Sequence, residues 1–242
     1  MLDRVSFRRF CGWGLSDRTP DETTICRFRQ QAAQSGVLSR AFEAVNGQLE
    51  LKGLILKRGT LMDASLVAAR HNRPKMKAGP GAGVAREPDA NWTKKNGKSY
   101  FGYKLHVGMD QGSGLVRRAV LTPAKTSDIE MADALICGDE AAVYGDKGYS
   151  KKALSQKLKA RRTKPRIAYR RHKSEPVLDR WKKKRNDLIA RLRAPVEGVF
   201  SQAKRFYGLG RARCHTLARN QGRALAALTV FNLKRAARLT AA

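Results

Sequence analysis

From Phe101 to Met109 the apolar residues fall at every second position: Phe101, Tyr103, Leu105, Val107 and Met109, with Lys104 and His106 among the residues between them. This is the period of an extended chain with one face buried, so the stretch predicts a half-buried strand. The turn-forming run Asp110-Gln-Gly-Ser-Gly114 leads into Leu115 to Leu121, and the two arms together read as a β-hairpin. Leu54-Ile-Leu56 followed by Thr60 to Val67 reads as a buried strand or hairpin ending in Asp63. Ala141 to Tyr144 is a compact strand that stops at Gly145-Asp146-Lys147-Gly148-Tyr149, and a short strand is expected over 166–169.

Helical periodicity occupies the two ends. Thr19, Pro20 and Glu22 make a capping box with proline at the first helical position. Ile25, Phe28 and Ala32 then recur at helical spacing, Ser35-Gly36 breaks the run, and Leu38, Phe42, Val45 and Leu49 repeat it. Such a pair fits a DNA-binding helix-turn-helix, and it also fits two helices packing on a core. Ser127 and Glu130 cap a short helix reaching Cys137. Leu178, Trp181, Leu188, Ile189 and Leu192 mark a basic helix, and Leu225, Leu228, Phe231 and Leu239 predict a final one over 224–239. Residues 71–98, rich in Pro, Gly and Lys, read as a flexible linker. The order predicts a mixed α/β domain over 53–242 behind a helical N-terminal segment, residues 1–52.

The charge balance narrows the partners. The 242 residues carry 50 Lys and Arg against 20 Asp and Glu, a formal net charge of +30. Self-repulsion on that scale destabilises a compact chain unless a polyanion relieves it, which makes nucleic acid the first partner to expect. A membrane is not expected, because no apolar run approaches the roughly 20 residues that span a bilayer. No apolar segment follows Met1, so no secretory leader and a cytoplasmic location are expected. The four cysteines form no CxxC pair and the four histidines are scattered, which argues against a zinc site or a disulfide framework. Any metal ligands must then be carboxylates.

Two acids stand at apolar strands among small residues: Asp63 before Ala64 and Ser65, and Asp146 before Gly148. A lone strand-end Asp most often caps a loop. Two of them in a chain of this charge point toward a cation site, because a carboxylate in an apolar strand is costly unless paired or metal-bound. Arg193, Glu197 and Lys204 are spaced four and seven apart and share one face if they lie on one helix. Pro195 leaves a second option, a helix that starts there and separates Arg193 from the other two.

The segments Leu61-Met-Asp63-Ala, Tyr144-Gly-Asp146-Lys-Gly-Tyr149 and Arg193-xxx-Glu197-xxxxxx-Lys204 resemble the three blocks of bacterial insertion-sequence transposases. The likeness is to the group named after insertion sequence five, within the superfamily named after insertion sequence four. Tyr100-Phe-Gly-Tyr-Lys-Leu-His106-Val resembles the strand between the first two blocks. Tyr207-Gly-Leu-Gly-Arg211 and the helix from Asn220 to Arg238 resemble the group's tail, and Arg4 to Arg29 its N-terminal segment. The chain departs from the pattern at Ala190, where the family usually carries Tyr. Relatives also have a longer N-terminal region, which implies a truncated copy or an internally assigned start.

The resemblance implies a ribonuclease H-like catalytic core, a mixed sheet flanked by helices, without the large β insertion that some relatives carry between the second and third blocks. It implies a catalytic and metal-binding triad of Asp63, Asp146 and Glu197. The implied cofactor is Mg²⁺, with Mn²⁺ able to substitute, and two ions about 3.5–4 Å apart would activate the attacking oxygen and stabilise the leaving one. Arg193, Lys204, Lys104 and Arg205 are the expected DNA contacts. The implied substrate is double-stranded DNA, both the element's terminal inverted repeats and a target, handled by a homo-oligomer. Two other readings remain open: a ribonuclease H-like nuclease without strand transfer, and a non-catalytic DNA-binding remnant of a transposase.

Overall fold

The computed structural model describes residues 5–71, 87–171 and 177–241. Helices α1 (Val5–Phe10), α2 (Glu22–Gln34) and α3 (Val37–Leu51) precede the strands β1 (Thr60–Ala68), β2 (Asn91–Lys95), β3 (Lys98–Asp110) and β4 (Val116–Pro123). A 3-10 turn (Asp128–Met131), α4 (Ala132–Leu135), β5 (Ala142–Gly145), α5 (Lys152–Ala160) and β6 (Lys164–Ile167) follow, and α6 (Arg180–Tyr207) and α7 (Leu217–Thr240) close the chain.

The sheet runs β2-β3-β1-β5-β6, with β4 also paired to β3. β3 pairs antiparallel with both β1 and β4, whereas β1, β5 and β6 run parallel. This mixed order, with helices on both faces, is that of a ribonuclease H-like domain. The two-residue period of β1 sorts its side chains. Leu61 joins the main core with Val107, Val196, Phe200, Leu225 and Leu228, beneath α3, α6 and α7. Met62 faces the other way, into a second cluster with Val143, Leu135, Leu154 and Ile167 beneath α4 and α5. A fully buried leucine such as Leu228 contributes about 1.5–3 kcal/mol.

β4 would leave backbone groups unpaired along its outer edge, and α7 covers them with two side-chain amides. Asn232 accepts from the Val116 amide (2.8 Å) and donates to the Val116 carbonyl (2.7 Å). Gln221, eleven residues earlier on the same helix, does the same for Leu121 and Ala119. An edge satisfied in this way cannot recruit a further strand. Asn232 also donates to Asn46 Oδ1 at 2.8 Å, tying α3 to the same point.

Several expectations are corrected. β1 does not end at Asp63 but runs five residues further, because β3 pairs with its whole length from Thr60 to Ala68. Leu54 to Leu56 is not a strand; the Asp110 carboxylate takes the Leu56 and Lys57 amides and holds that segment as a loop. The segment expected to be a linker contains β2, while residues 72–86 of it lie outside the described residues. α2 is capped by Asp21, whose carboxylate accepts the Thr24 amide at 2.6 Å, so Thr19 and Pro20 lie outside the helix. Of its expected inward face only Ala32 is buried, and Ile25 and Phe28 are exposed. β6 sits two residues earlier than expected, and α7 begins seven residues earlier. Trp181 and Leu188 are exposed on α6, Trp181 packing edge-on against Tyr169. α6 runs unbroken through Pro195, so Arg193 and Glu197 do share one helix.

Candidate functional site

Asp63 shares the face of β1 that carries Leu61, which turns its side chain toward α6. Arg193 meets it there. Its Nη2 lies 3.2 Å from Asp63 Oδ1, and its Nε donates to the Met62 carbonyl at 3.2 Å. Asp63 Oδ1 also accepts the Ala64 amide at 2.8 Å. Burial pushes the Asp63 carboxyl above its ordinary range; Arg193 and the Ala64 amide oppose the rise, and the nearby charges of Asp146 and Asp128 add to it.

The register places Asp146 beside it. Leu61 lies opposite Tyr144 where β1 and β5 pair in parallel, and two residues further along each strand come Asp63 and Asp146. The pairing ends at Leu61 and Tyr144, so the strands part where the two acids stand. Asp146 Oδ1 accepts the Gly148 amide at 2.8 Å and caps the turn Lys147–Tyr149.

A third carboxylate, absent from the expected site, joins them. Asp128 follows β4 and lies across Gly148 from Asp146. A Cβ placed on Gly148 would stand 2.9 Å from Asp146 Oδ1 and 3.2 Å from Asp128 Oδ2. Lys104 Nζ is 3.1 Å from Asp128 Oδ1 and donates to the Thr126 carbonyl at 2.7 Å. His106 Nδ1 lies 3.7 Å from the same oxygen. Burial, and then the Lys104 charge, push His106 down to about 4, so that contact is not an ion pair near neutral pH. Tyr149 is buried, and its hydroxyl has no hydrogen-bond partner among the described residues. Burial raises its pKa far above the ordinary range, and Asp128, Asp63 and Asp146 raise it further. It therefore stays a proton donor beside the acids.

Asp63, Asp128, Asp146 and Lys104 line one groove of about 250 Å³, whose opposite wall is Thr93, Lys94 and Lys95 of β2. The β2 lysines, like Asp128, were not singled out in the sequence. In the sequence Asp128 was hidden beside Ser127, which reads as a helix cap. The structure brings Asp63, Asp146, Lys104 and Arg193 together. Glu197 lies one turn beyond Arg193 on α6, exposed and without a hydrogen bond or ion pair among the described residues. Lys204 and Arg205 are further along the same helix, both exposed. Burial and the charge of Lys95 lower the Lys204 pKa, and the Arg205 guanidinium carbon lies 5.3 Å from the Phe206 ring centre.

Hard carboxylate oxygens around a groove suit Mg²⁺. In this arrangement each acid is held by its own donor: Asp63 by Arg193, Asp146 by the Gly148 amide, and Asp128 by Lys104. Among the described residues, only Cys137, Asp139 and Glu140 bring three such donor atoms within 4.8 Å of one another. There, Arg117 binds both oxygens of Asp139 (2.7 and 2.8 Å) and Lys57 adds a contact at 3.0 Å. Protein cations already neutralise that cluster, and it reads as an ion-pair network. In the groove Asp63 and Asp128 are likewise paired, with Arg193 and Lys104, so an ion there would have to displace those cations.

Residues 55–233 match the family model described as Transposase DDE domain, and residues 1–31 match the one described as Transposase domain (DUF772). No solved structure matches the chain. No helix among the described residues is long and apolar enough to cross a membrane.

Proposed function

The chain belongs to the transposase DDE-domain family, and we propose that it acts for a bacterial insertion sequence of the insertion-sequence-five group, cutting DNA at the element's ends and joining them to a target. Divalent-metal dependence comes with the family. The observation that carries the reading is the parallel register of β1 and β5, which sets Asp63 and Asp146 side by side where the strands part.

Asp63 and Asp146, with Glu197 of α6, would hold Mg²⁺ or Mn²⁺. Two bound ions supply Lewis-acid activation of the attacking oxygen and charge stabilisation of the leaving one. The chain's own residues do the rest. Arg193 exchanges Asp63 for a DNA phosphate, so the cation that neutralises the free site becomes a substrate contact. Lys94, Lys95 and Lys104 hold the phosphates on either side of the scissile bond. Lys204, close enough to Lys95 to feel its charge, extends this basic wall toward Arg205. In the first step water attacks the phosphodiester, a P–O bond forms as the bond to the departing 3′-oxygen breaks, and a free 3′-hydroxyl remains. In the second that hydroxyl attacks a target phosphodiester and expels the target's own 3′-oxygen. Each step replaces one P–O bond by another and needs no covalent link to protein. Pairing two element ends calls for a homo-oligomer, acting in the cytoplasm on nucleoid DNA.

The test is incubation with DNA carrying the element's inverted repeats and a supercoiled target, with Mg²⁺ or with chelator. Metal-dependent joined products support the reading. Nicks without joining favour a nuclease, and salt-sensitive binding without cleavage favours a non-catalytic remnant.

A further inference from the structure

Seven residues beyond Asp63, at the far end of β1, the chain builds a second basic cavity. Arg29 of α2, Arg70 after β1, Arg213 between α6 and α7, and Arg219 and Arg223 of α7 line a hollow of about 350 Å³ that no Asp or Glu lines. The five come from four separate stretches of sequence, so only the fold assembles them.

Two of these arginines build the cavity. Arg223 donates to the carbonyls of Arg211 (3.0 Å), Tyr207 (3.2 Å) and Gly208, and Arg70 donates to the Arg213 carbonyl at 3.0 Å. The other three, Arg29, Arg213 and Arg219, make no side-chain hydrogen bond or ion pair among the described residues. The cluster is under mutual repulsion: burial lowers the Arg223 pKa, and the charges of Arg213 and Arg29 lower it further. Gathering like charges around a hollow without carboxylates is unfavourable in the free protein and favourable once an anion enters.

We propose that this cavity is a second phosphate-binding site, which grips the backbone of duplex DNA away from the bond that is cut. The inference rests on the reading of the protein as a DNA-cutting transposase. Three features favour duplex DNA as the source of the phosphate. The guanidinium fork matches phosphate oxygens in pairs. The molecule carries a net +30, so its partner is a polyanion. The position also fits, because β1 joins the two sites directly. At about 3.3 Å per residue Arg70 stands at most roughly 23 Å from Asp63, the length of about seven base pairs. A duplex laid in the groove of Asp63 and Asp146 and running along β1 would reach the arginines.

The experiment is a salt titration of binding to a labelled duplex several helical turns long, comparing the wild-type chain with an Arg29→Gln, Arg213→Gln, Arg219→Gln variant. Each phosphate that is no longer neutralised takes about 0.9 off the slope of log affinity against log salt, so the variant should be shallower by about 2–3. Its affinity at low salt should fall at least about tenfold. Its melting midpoint without DNA should stay the same or rise, because repulsion is relieved. An unchanged slope with the wild type still cleaving overturns the second site and leaves the transposase reading standing. A lower midpoint with an unchanged slope means that the arginines serve the fold, and also overturns the site. If the wild type binds no duplex at any salt, both fall. Should the triple variant fail to fold, Arg29→Gln alone is decisive: a slope shallower by about 0.9 supports the site, and an unchanged slope overturns it.

Discussion

Asp63 and Asp139 carry the same carboxyl group, and their surroundings push it in opposite directions. Burial raises Asp63, whereas the Arg117 and Lys57 side chains hold Asp139 far below the ordinary value of 3.8. The stability that Asp139 supplies is therefore present above that ordinary value and lost as pH falls through its folded value. Asp139→Asn should lower the melting midpoint at pH 7, with the gap closing in strong acid. For Asp63 the sign reverses: its contribution is complete below the ordinary value and is lost as pH rises through the folded value. In chelator, Asp63→Asn should melt higher than wild type at pH 7 and match it near pH 3. Thermal melts at the two pH values check both. A site that destabilises its own fold is expected where charge is kept for a ligand. In the sequence Asp63 and Asp146 were legible from small neighbours on apolar strands. Asp128 was not singled out, because its place beside Asp146 comes from the tertiary fold, where Gly148 leaves room for both carboxylates. Glu197 has an exposed place on α6, and only the family likeness singles it out.

The β2–β3 hairpin shows why some of the sequence went unread. Asn96-Gly97 is the preferred two-residue turn, and both residues have positive φ (51° and 76°). It sits in a stretch where Pro and Gly upstream suggest a linker, and the flanking arms Asn91–Lys95 and Lys98–Gly102 carry lysines on a strand only partly buried. Composition therefore masked the local turn signal. Gly97→Val should cost at least about 1 kcal/mol, since a β-branched residue cannot adopt that φ without strain. Because the turn holds Lys94 and Lys95 over the groove, the same change should weaken duplex binding, which anisotropy would detect. The long strands and α6 were legible because their periods persist over many residues. Pro195 raised the prospect of a break. The helix runs through it with the Arg191 carbonyl deprived of its partner, a tolerable loss where Leu192 before it and Val196, Val199 and Phe200 after it pack into the main core.

At the scale of the molecule the succession of strands and helices was legible from a few periodic runs, whereas the order of strands in the sheet was not, because alternation does not declare which strands pair. The seating of α2 and α3 against α7 was not legible either, because amphipathic helices do not declare what they face. The charge was legible from composition alone, and it has a consequence for the whole fold. Fifty basic residues in 242 repel one another at low salt. The melting midpoint of the free protein should rise with salt, and it should rise more with added duplex at the same ionic strength, by mass action on the folded state. Calorimetry in parallel salt and DNA series separates the two.

The central claim is that Asp146, beside Asp63 at the parting of β1 and β5, serves the cutting step rather than the fold. Its most direct test is single-turnover cleavage of labelled element-end DNA in Mg²⁺ by wild-type and Asp146→Asn proteins, with DNA occupancy measured alongside. The wild type should release a 3′-hydroxyl end, and Asp146→Asn should bind the DNA equally or more tightly and cut at background. Cutting by Asp146→Asn at the wild-type rate would contradict the account.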